Sequence, residues 1–236
     1  MVVTRKLSAS EATGLLAETA LFGQLESATL ARLADESTIR SYPKGQYIFQ
    51  QGDRGDCLFV VAEGLLKVFT ISDQGDDMVL ATLRRPDTFG ELAIIDGGPR
   101  SASVEALDAT TLVIVSQSAF TRLVRQYPSL LEAVLRSVAG LLRHVLERAS
   151  DLVFLDLPGR VAKMILDLGN DRGEASPEGL RIDVELTQGD LAASVGGSRS
   201  TVNQILHAFE ERGYIALQGR TVVLKRPDLL RRRAGG

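Results

Sequence analysis

The sequence predicts an α+β chain with three parts: an N-terminal antiparallel β jelly roll, a long central helix and a C-terminal winged helix-turn-helix. Short β-rich runs separated by glycine, aspartate and proline occupy residues 38–115, and a helical apolar repeat follows Pro128. Near the C-terminus, two short helices meet at a glycine turn and are followed by a hairpin. We therefore expect three domains with bounds 1–127, 128–156 and 157–236.

The composition is that of a globular protein held together by apolar cores. The 236 residues are 44% hydrophobic and 24% charged, enough for one large domain or two of ordinary size. No apolar run reaches the ~18 residues of a membrane span, and the first seven residues lack a signal-peptide core. The single cysteine, Cys57, argues against disulfide frameworks, cysteine-rich zinc sites and iron–sulfur clusters. We expect a cytoplasmic protein with no metal site and no membrane partner.

The charges are distributed unevenly along the chain. The net charge is −3, yet the residues from Arg199 to the C-terminus contain eight basic and three acidic side chains. This asymmetry places an anionic partner at the C-terminal end. A solvated tail at Arg231–Arg233 is the alternative explanation for part of this excess.

The N-terminal half begins with two short helices and continues as strands. Leucines recur at helical spacing in residues 11–36, and β-rich runs follow at near-regular intervals, as in a jelly roll. The predicted strands are Gln46–Phe49, Cys57–Ala62, Leu65–Ile71, Met78–Leu83, Ala102–Ala106 and Thr111–Val115.

A long helix is predicted from Pro128 to Leu155. Its apolar residues alternate at spacings of three and four, as in a coiled coil, with Arg148 as the one polar interruption. The pattern favours packing against a second copy of the helix, and therefore a homodimer; a helix packed on its own sheet is the alternative. The predicted dimer interface consists of Leu131, Val134, Val138, Leu141, Val145 and Leu152.

Asp156–Gly159 interrupts the long helix and opens the C-terminal part. Pro158 suits the first turn of a helix at Arg160–Leu168, after which we expect a loop at Gly169–Gly179 and a strand at Leu180–Val184.

The residues after that strand predict a helix-turn-helix with a wing. Thr187 caps a first helix, the Gly196-Gly197 turn follows, and Ser198 caps a second helix over Arg199–Arg212. Strands at Tyr214–Leu217 and Thr221–Leu224 then form the wing, a unit that reads the DNA major groove; a helical hairpin for protein contact is the alternative. The predicted DNA-binding residues are Ser198, Arg199, Ser200, Thr201, Asn203, Gln204 and Arg220.

The stretch from Phe89 to Ala102 suits a sugar phosphate. Backbone N–H groups of a short helix after Gly90 and the Arg100 guanidinium can bind an anion, and Ser101 adds a hydroxyl. Glu91 can accept a hydrogen bond from a ribose hydroxyl, whereas a carboxylate beside a bare phosphate is unfavourable. The predicted phosphate and ribose site consists of Gly90, Glu91, Leu92, Arg100 and Ser101.

At these residues the chain resembles the CRP/FNR family of bacterial transcription regulators, and the resemblance extends over nearly the whole sequence. It includes Gly64–Val68, the Gly90–Ala102 cassette, Phe154–Asp156, Pro158–Val161 and the residues from Leu186 to Val202. The family implies a dimer whose sensor domains bind an effector and thereby place two recognition helices in successive major grooves about 34 Å apart. Matched by position, Gly90, Glu91, Arg100 and Ser101 correspond to the family's cyclic-nucleotide phosphate and ribose contacts. RNA polymerase is the further partner that the resemblance implies.

Two positions depart from the family pattern. Cyclic AMP-binding members carry a Thr–Ser pair on the long helix to read adenine; here those positions are Val145 and Leu146, and neighbouring Leu142 makes this helix face of the pocket apolar. The resemblance therefore leaves three readings open: cyclic AMP with altered affinity or base preference, another cyclic nucleotide, or a vestigial pocket.

The recognition helix also departs from its family. The usual base-reading set is Arg, Glu and Arg, and the matching residues here are Arg199, Ser200 and Gln204. Arg199 suits guanine, whereas Gln204 favours adenine. We expect a pseudo-palindromic operator whose half-site is related to the family's TGTGA but different from it.

Two other functions are alternatives to an effector-controlled regulator. One is a regulator of the same fold that acts without effector; the other is a cyclic-nucleotide-binding regulatory subunit of an enzyme. The sequence contains no nucleophile–base pair or phosphate-binding Walker loop, and the helix-turn-helix argues against the second rival. Haem ligation would need His144 or His207, both expected on the surface.

Overall fold

The computed structural model describes residues 7–72, 77–184 and 186–235. Its contacts divide the chain into two compact units, the first formed by Met1–Thr70 with Leu80–Leu142 and the second by Ile71–Val79 with Arg143–Gly236. The predicted α+β class, with an antiparallel β-roll, a long helix and a C-terminal helix-turn-helix, is confirmed.

Helices at both ends of the β-roll complete the core of the first unit. Ser8 and Glu11 form a capping box at the start of the first helix, and Ser116 caps the helix after the last strand. Phe22 and Phe120 meet edge to face within this core, at 6.3 Å between ring centroids. These helices are α1 (Ala9–Glu18), α2 (Ser27–Glu36) and α4 (Gln117–Gln126).

Two four-stranded sheets form the β-roll within the described residues. Their strand orders are β1-β8-β3-β6 and β2-β7-β4-β5. A one-turn helix, α3 (Leu92–Asp96), lies between β6 and β7 in the chain. The strands are β1 (Thr38–Tyr42), β2 (Tyr47–Phe49), β3 (Cys57–Glu63), β4 (Leu66–Ile71), β5 (Asp77–Leu83), β6 (Thr88–Phe89), β7 (Ser103–Ala106) and β8 (Thr110–Ser116).

Strands β1 and β6 were absent from the sequence expectation. β1 buries only its last residue, Tyr42, and is held by antiparallel pairing along β8 from Thr38 to Tyr42. β6 is only two residues long and pairs with Phe59 and Val60. Strands that depend on main-chain pairing rather than on alternating burial leave little signal in a sequence.

The long helix α5 (Pro128–Phe154) has the predicted extent, but the predicted face needs a correction. Val134 is 5% exposed and packs in the core of the first unit together with Leu130 and Ala133. The sequence pattern predicts Val134 in the dimer interface, and that prediction is wrong because the side chain is already buried in the core of its own unit.

The second unit is a sheet flanked by helices around a single apolar cluster. The sheet has the order β11-β12-β10-β9, and Ile165, Ile182, Leu206 and Phe209 lie in the cluster. Its helices are α6 (Leu157–Arg172), α7 (Gln188–Ser194), α8 (Arg199–Glu211) and α9 (Pro227–Arg233), and its strands are β9 (Glu174–Ser176), β10 (Gly179–Asp183), β11 (Ile215–Gln218) and β12 (Thr221–Leu224).

Helix α6 is longer than predicted, and the expected loop contains a strand. Asp156 caps the helix through the N–H of Gly159, and the helix continues past Gly169 to Arg172. A Cβ on Gly169 would lie 3.2 Å from Leu180 Cδ2, so this glycine permits close helix–sheet packing. The glycine that suggested the end of the helix is a packing position instead.

Candidate functional site

Arg100 is a buried cation in the first unit. The residue is 4% exposed, and its guanidinium donates to the carbonyl of Gly90 at 2.7 Å and to that of Cys57 at 2.9 Å. It also lies 4.3 Å from the ring centroid of Phe49. Among the described residues, Arg100 Nε has no hydrogen-bond partner. A buried N–H of a cation without an acceptor is costly, which makes it a binding position for an anion.

Two glycines make room for this guanidinium. Gly90 has φ +84°, and a Cβ there would lie 2.6 Å from Arg100 Nη1. A Cβ on Gly55 would lie 2.4 Å from Ala93 Cβ and 3.1 Å from Arg100 Nε. Any larger residue at Gly90 would therefore displace Arg100 as well as strain the backbone.

Glu91 supplies a second unpartnered atom beside Gly90. Its Oε2 is buried and has no hydrogen-bond partner within the described ranges. Burial raises the pKa of the Glu91 carboxyl, while its own backbone N–H and the charge of Arg100 oppose that increase. The site therefore offers a donor at Arg100 and an acceptor at Glu91, the pair that a phosphate and a hydroxyl on one ligand would use.

The other predicted contacts of this site differ in burial. Ser101 is exposed, Leu92 is half-buried as the first residue of α3, and Gly90 is half-buried. Sequence reasoning missed Cys57, whose carbonyl accepts from Arg100 Nη2, and Phe49, whose ring covers one face of the guanidinium. Cys57 acts through its main-chain carbonyl, and a carbonyl leaves no signal in residue identity.

The predicted base-reading face of α5 is apolar and solvent-exposed. Leu142, Val145 and Leu146 are each more than half exposed, and no side-chain hydroxyl stands at these positions.

An apolar stripe runs along α5. Every second residue of this stripe belongs to the predicted interface, and each of the others lies one residue further along the chain than predicted. Four residues of the predicted interface, Leu131, Val138, Val145 and Leu152, lie along this stripe, with Val138 half-buried against the first unit's core. The alternate members are Leu135, Leu142 and Ala149, instead of Val134, Leu141 and Arg148. We call these seven the α5 stripe: Leu131, Leu135, Val138, Leu142, Val145, Ala149 and Leu152.

In the observed register, Arg148 lies outside the α5 stripe and no longer interrupts it. Arg148 is half-buried and donates from Nη1 to the carbonyl of Val79 at 2.8 Å. Leu141, 44% exposed, flanks the stripe on the same side as Arg148. The α5 stripe is therefore apolar along its full length.

Helices α7 and α8 have the local geometry of a helix-turn-helix. Thr187 and Asp190 form a capping box on α7, Gly196 has φ +65° in the turn, and the Ser198 hydroxyl accepts from the N–H of Thr201. Arg199, Ser200, Thr201 and Gln204 are exposed on α8, as the sequence predicted.

Gln188 at the start of α7 contacts two of the predicted reading residues. Its Oε1 accepts from Arg199 Nη2 at 3.3 Å, and its Nε2 donates to Asn203 Oδ1 at 3.4 Å. Asn203 is half-buried rather than exposed as predicted. Sequence reasoning missed Gln188 because its contacts are with a different helix and leave no local pattern.

Arg160 connects the start of α6 to the segments on either side of it. Its Nε donates to the carbonyl of Val195, just before the turn, at 2.8 Å, and its Nη1 donates to the carbonyl of Leu155 at 2.9 Å. The end of α5 and the turn before α8 are therefore held by one side chain.

The wing is a two-residue hairpin between β11 and β12. Gln218 pairs with Thr221, and Gly219, with φ +65°, precedes Arg220 at the tip. The Arg220 side chain is exposed, and its carbonyl accepts from the N–H of Val184 at 2.8 Å. This places a cation at the wing tip, as predicted.

Within residues 7–72, 77–184 and 186–235, no three His, Cys, Asp or Glu side chains converge as a metal site. In the same ranges no helix combines the length and apolarity needed for a membrane crossing.

Comparison with protein families assigns both units. The cyclic nucleotide-binding domain matches residues 39–127, and the Crp-like helix-turn-helix domain matches residues 159–233.

Curated relatives cover nearly the whole chain. The CRP-like cAMP-activated global transcriptional regulator of Mycobacterium tuberculosis is 34% identical over 220 residues, 93% of this chain and 98% of the relative. The cAMP-activated global transcriptional regulator CRP of Salmonella typhimurium is 30% identical over 198 residues, 83% of this chain and 93% of the relative.

A solved structure supports the fold. A CooA mutant from Carboxydothermus hydrogenoformans superimposes with a TM-score of 0.77 at 21% identity, over 97% of this chain and 98% of that one. The chain thus belongs to the CRP/FNR family of DNA-binding transcription regulators, which combine a cyclic nucleotide-binding domain with a helix-turn-helix and are not enzymes.

Proposed function

We propose that this chain is a homodimeric regulator whose binding to a pseudo-palindromic operator is controlled by a cyclic nucleotide. The effector is inferred from the buried Arg100 guanidinium, whose Nε has no hydrogen-bond partner in the described residues. The Oε2 of neighbouring Glu91 also lacks a partner there. A cyclic nucleotide offers a phosphate to the first and a ribose 2′-hydroxyl to the second. The relatives named cAMP-activated support the same class of effector.

In this proposal each site residue has one role. Arg100 neutralises the cyclic phosphate, Ser101 and the main-chain N–H of Leu92 donate to its oxygens, and Glu91 accepts from the ribose. Gly90 keeps the main chain close enough for the phosphate to approach Arg100. The effector shifts the protein toward the DNA-binding state only by the difference between its affinities for the two states.

We propose that base discrimination is weak, with cyclic AMP and cyclic GMP both able to bind. The exposed positions Leu142, Val145 and Leu146 offer no hydrogen bond to a base edge. Strong rejection of a wrong base depends on polar groups that the wrong base would leave unpaired, whereas an apolar surface discriminates by only about 1–3 kcal/mol.

The test is thermal unfolding of the purified protein with cyclic AMP, cyclic GMP and linear AMP. A cyclic nucleotide at 100 times its Kd should stabilise the fold by about 2.7 kcal/mol, and Arg100→Gln should remove that effect. Arg84→Gln, outside the site, is the matched control. Unchanged unfolding with every nucleotide, together with full operator binding by the free protein, would establish the rival reading of an effector-independent regulator with a vestigial pocket.

The homodimer is proposed to form through the α5 stripe. The stripe alternates at spacings of four and three residues, the heptad pattern of a two-helix coiled coil, and its leucines are about half exposed or more in the single chain. Contiguous exposed apolar area of this kind marks an interface. The sequence-based bounds 1–127, 128–156 and 157–236 then describe sensor, dimerisation helix and DNA-binding domain.

The operator half-site is proposed to differ from TGTGA. Arg199 would read guanine, whereas Ser200 and Gln204 stand where the family set has a carboxylate and a second arginine. Selection of bound sequences from random DNA is the test, and recovery of TGTGA with full preference would contradict the proposal. RNA polymerase as a partner and a cytoplasmic location complete the proposal.

A further inference from the structure

We infer that the C-terminal helix α9 is an additional DNA-binding surface, whose arginines Arg231 and Arg232 contact backbone phosphates beside the half-site. This inference rests on the DNA-binding role of the helix-turn-helix and extends it to a segment to which no function has been assigned above. The partner is double-stranded DNA, recognised through its phosphates and independently of base sequence.

Helix α9 is a packed element and not a solvated tail. Leu230 is fully buried in the apolar cluster of the second unit, and Ala234 packs against the same cluster one turn later. Arg233 forms an ion pair with Asp156, the residue that caps α6. A Cβ on Gly235 would lie 3.1 Å from Leu155 Cδ2. The arginines of α9 are therefore held in a defined place relative to α6.

The same end of α6 contacts the turn that precedes the recognition helix. A Cβ on Gly197 would lie 2.9 Å from Leu157 Cδ1, and a Cβ on Gly159 would lie 3.2 Å from the carbonyl oxygen of Arg233. Leu157 and Gly159 belong to the first turn of α6. The C-terminal end of α9 and the turn before α8 therefore both contact the first turn of α6.

That position lies over the DNA backbone when α8 enters the major groove. A recognition helix reads bases with its N-terminal residues, so the elements packed around its N-terminus lie above the phosphates at the edge of a groove about 12 Å wide. An arginine side chain extends far enough from such an element to reach a phosphate oxygen.

Arg231 and Arg232 are available for that contact. Both are exposed, and neither has a hydrogen-bond or ion-pair partner in the described part of the chain. Arg226 and Arg233, by contrast, are paired with Asp228 and Asp156. In the described residues, no carboxylate balances the charges of Arg231 and Arg232, so both can pair with a polyanion.

The experiment measures binding of the full-length chain to a fluorescent operator duplex and to an unrelated duplex, each between 50 and 300 mM salt. We expect Arg231→Gln/Arg232→Gln to weaken binding about tenfold on both duplexes and to reduce the slope of log K against log salt by about 1 per arginine in each protomer. Arg32→Gln/Arg125→Gln changes two exposed arginines of the first unit and keeps the net charge equal; it should leave affinity and slope unchanged.

A second variant tests the position of α9. Arg233→Gln removes the pairing with Asp156 but retains Arg231 and Arg232, so it should lower the salt slope in part while far-UV circular dichroism stays constant. Wild-type affinity and slope in Arg231→Gln/Arg232→Gln would overturn the inference, and so would an equal loss in Arg32→Gln/Arg125→Gln. A wild-type chain that bound neither duplex would overturn the proposed function itself, a result distinct from both.

Discussion

At the scale of single residues, the candidate effector site contains a cation, Arg100, and a carboxyl group, Glu91, each with one buried atom that lacks a hydrogen-bond partner in the described residues. The Arg100 guanidinium has two carbonyl acceptors and two aromatic neighbours, Phe49 and Phe59, but none of these accepts from Nε. The Glu91 carboxyl is close enough for the charge of Arg100 to lower its pKa, yet burial raises the pKa by more. Each buried atom without a hydrogen-bond partner costs free energy, and a ligand that supplies both partners removes that cost.

Glu91→Gln should therefore have opposite effects on stability and on ligand binding. Because the pKa of Glu91 is raised above its ordinary value of 4.5, the folded chain holds more protons than the unfolded chain between the two values. The free energy of unfolding falls as pH rises through that window, and the full penalty persists above the raised pKa. Glu91→Gln removes this penalty and should increase Tm at pH 7 but not at pH 4.

The same substitution should weaken cyclic nucleotide binding. Loss of a hydrogen bond to a charged acceptor costs about 1.5–3 kcal/mol, or roughly 10- to 150-fold in Kd, as measured by calorimetry. Glu63→Gln, at an exposed position outside the site, provides the control. Tighter nucleotide binding by Glu91→Gln would contradict the assignment of Glu91 to the ribose.

At the scale of elements, α5 shows what periodicity could and could not predict. The length of the helix and four members of its stripe follow from the spacing of apolar residues. The choice between Val134 and Leu135 does not, because both complete an alternation of threes and fours. Only the packing of the first unit, which buries Val134 and leaves Leu135 61% exposed, decides between them. The short strands β1 and β6 were missed for a related reason, since their partners, and not their own residues, define them.

The observed register of the α5 stripe predicts that the adjacent residues Val134 and Leu135 respond differently to substitution. Leu135→Glu places a charge in the α5 stripe and should raise the dimer dissociation constant more than tenfold, as hot-spot positions do. Analytical ultracentrifugation measures the change. Ser137→Glu, exposed on the same helix but outside the stripe, is the control and should leave the dimer intact.

Val134→Ala should instead lower the stability of the fold and leave dimerisation unchanged. Removing two buried methyl groups from the core of the first unit costs about 1–3 kcal/mol of folding free energy, which denaturant unfolding detects, while the dimer dissociation constant stays close to that of the wild type. A dimer defect in Val134→Ala without loss of stability would restore the register that the sequence first suggested.

At the scale of the whole molecule, the two units carry separate parts of one function. The motifs for both could be found in the sequence, because capping residues, glycine turns and the cassette from Gly90 to Arg100 are local patterns. Partners that act through the main chain or from a distant element, such as Cys57 and Gln188, could not. They become visible only when folding brings them to Arg100 and Arg199.

A two-fold dimer predicts a strict dependence on half-site spacing. Inserting about 5 base pairs at the centre of the operator turns one half-site to the opposite side of the duplex, whereas about 10 base pairs restores the face. Gel-shift titration should show affinity near that of a single half-site after the shorter insertion. Equal affinity for both spacings would indicate that the protomers bind independently.

The hydrogen bonds of Arg160 suggest that base preference and operator spacing depend on different elements, the first on α8 and the second on α5. One guanidinium fixes the carbonyl of Leu155 at the end of α5 and that of Val195 before the turn. The direction of the recognition helix is therefore tied to the last turn of its own α5. In the proposed dimer, we expect the angle between the paired α5 helices to set the span of the operator. Substitutions on α8 would alter which bases are read without altering that span, so the two properties can diverge independently among related regulators.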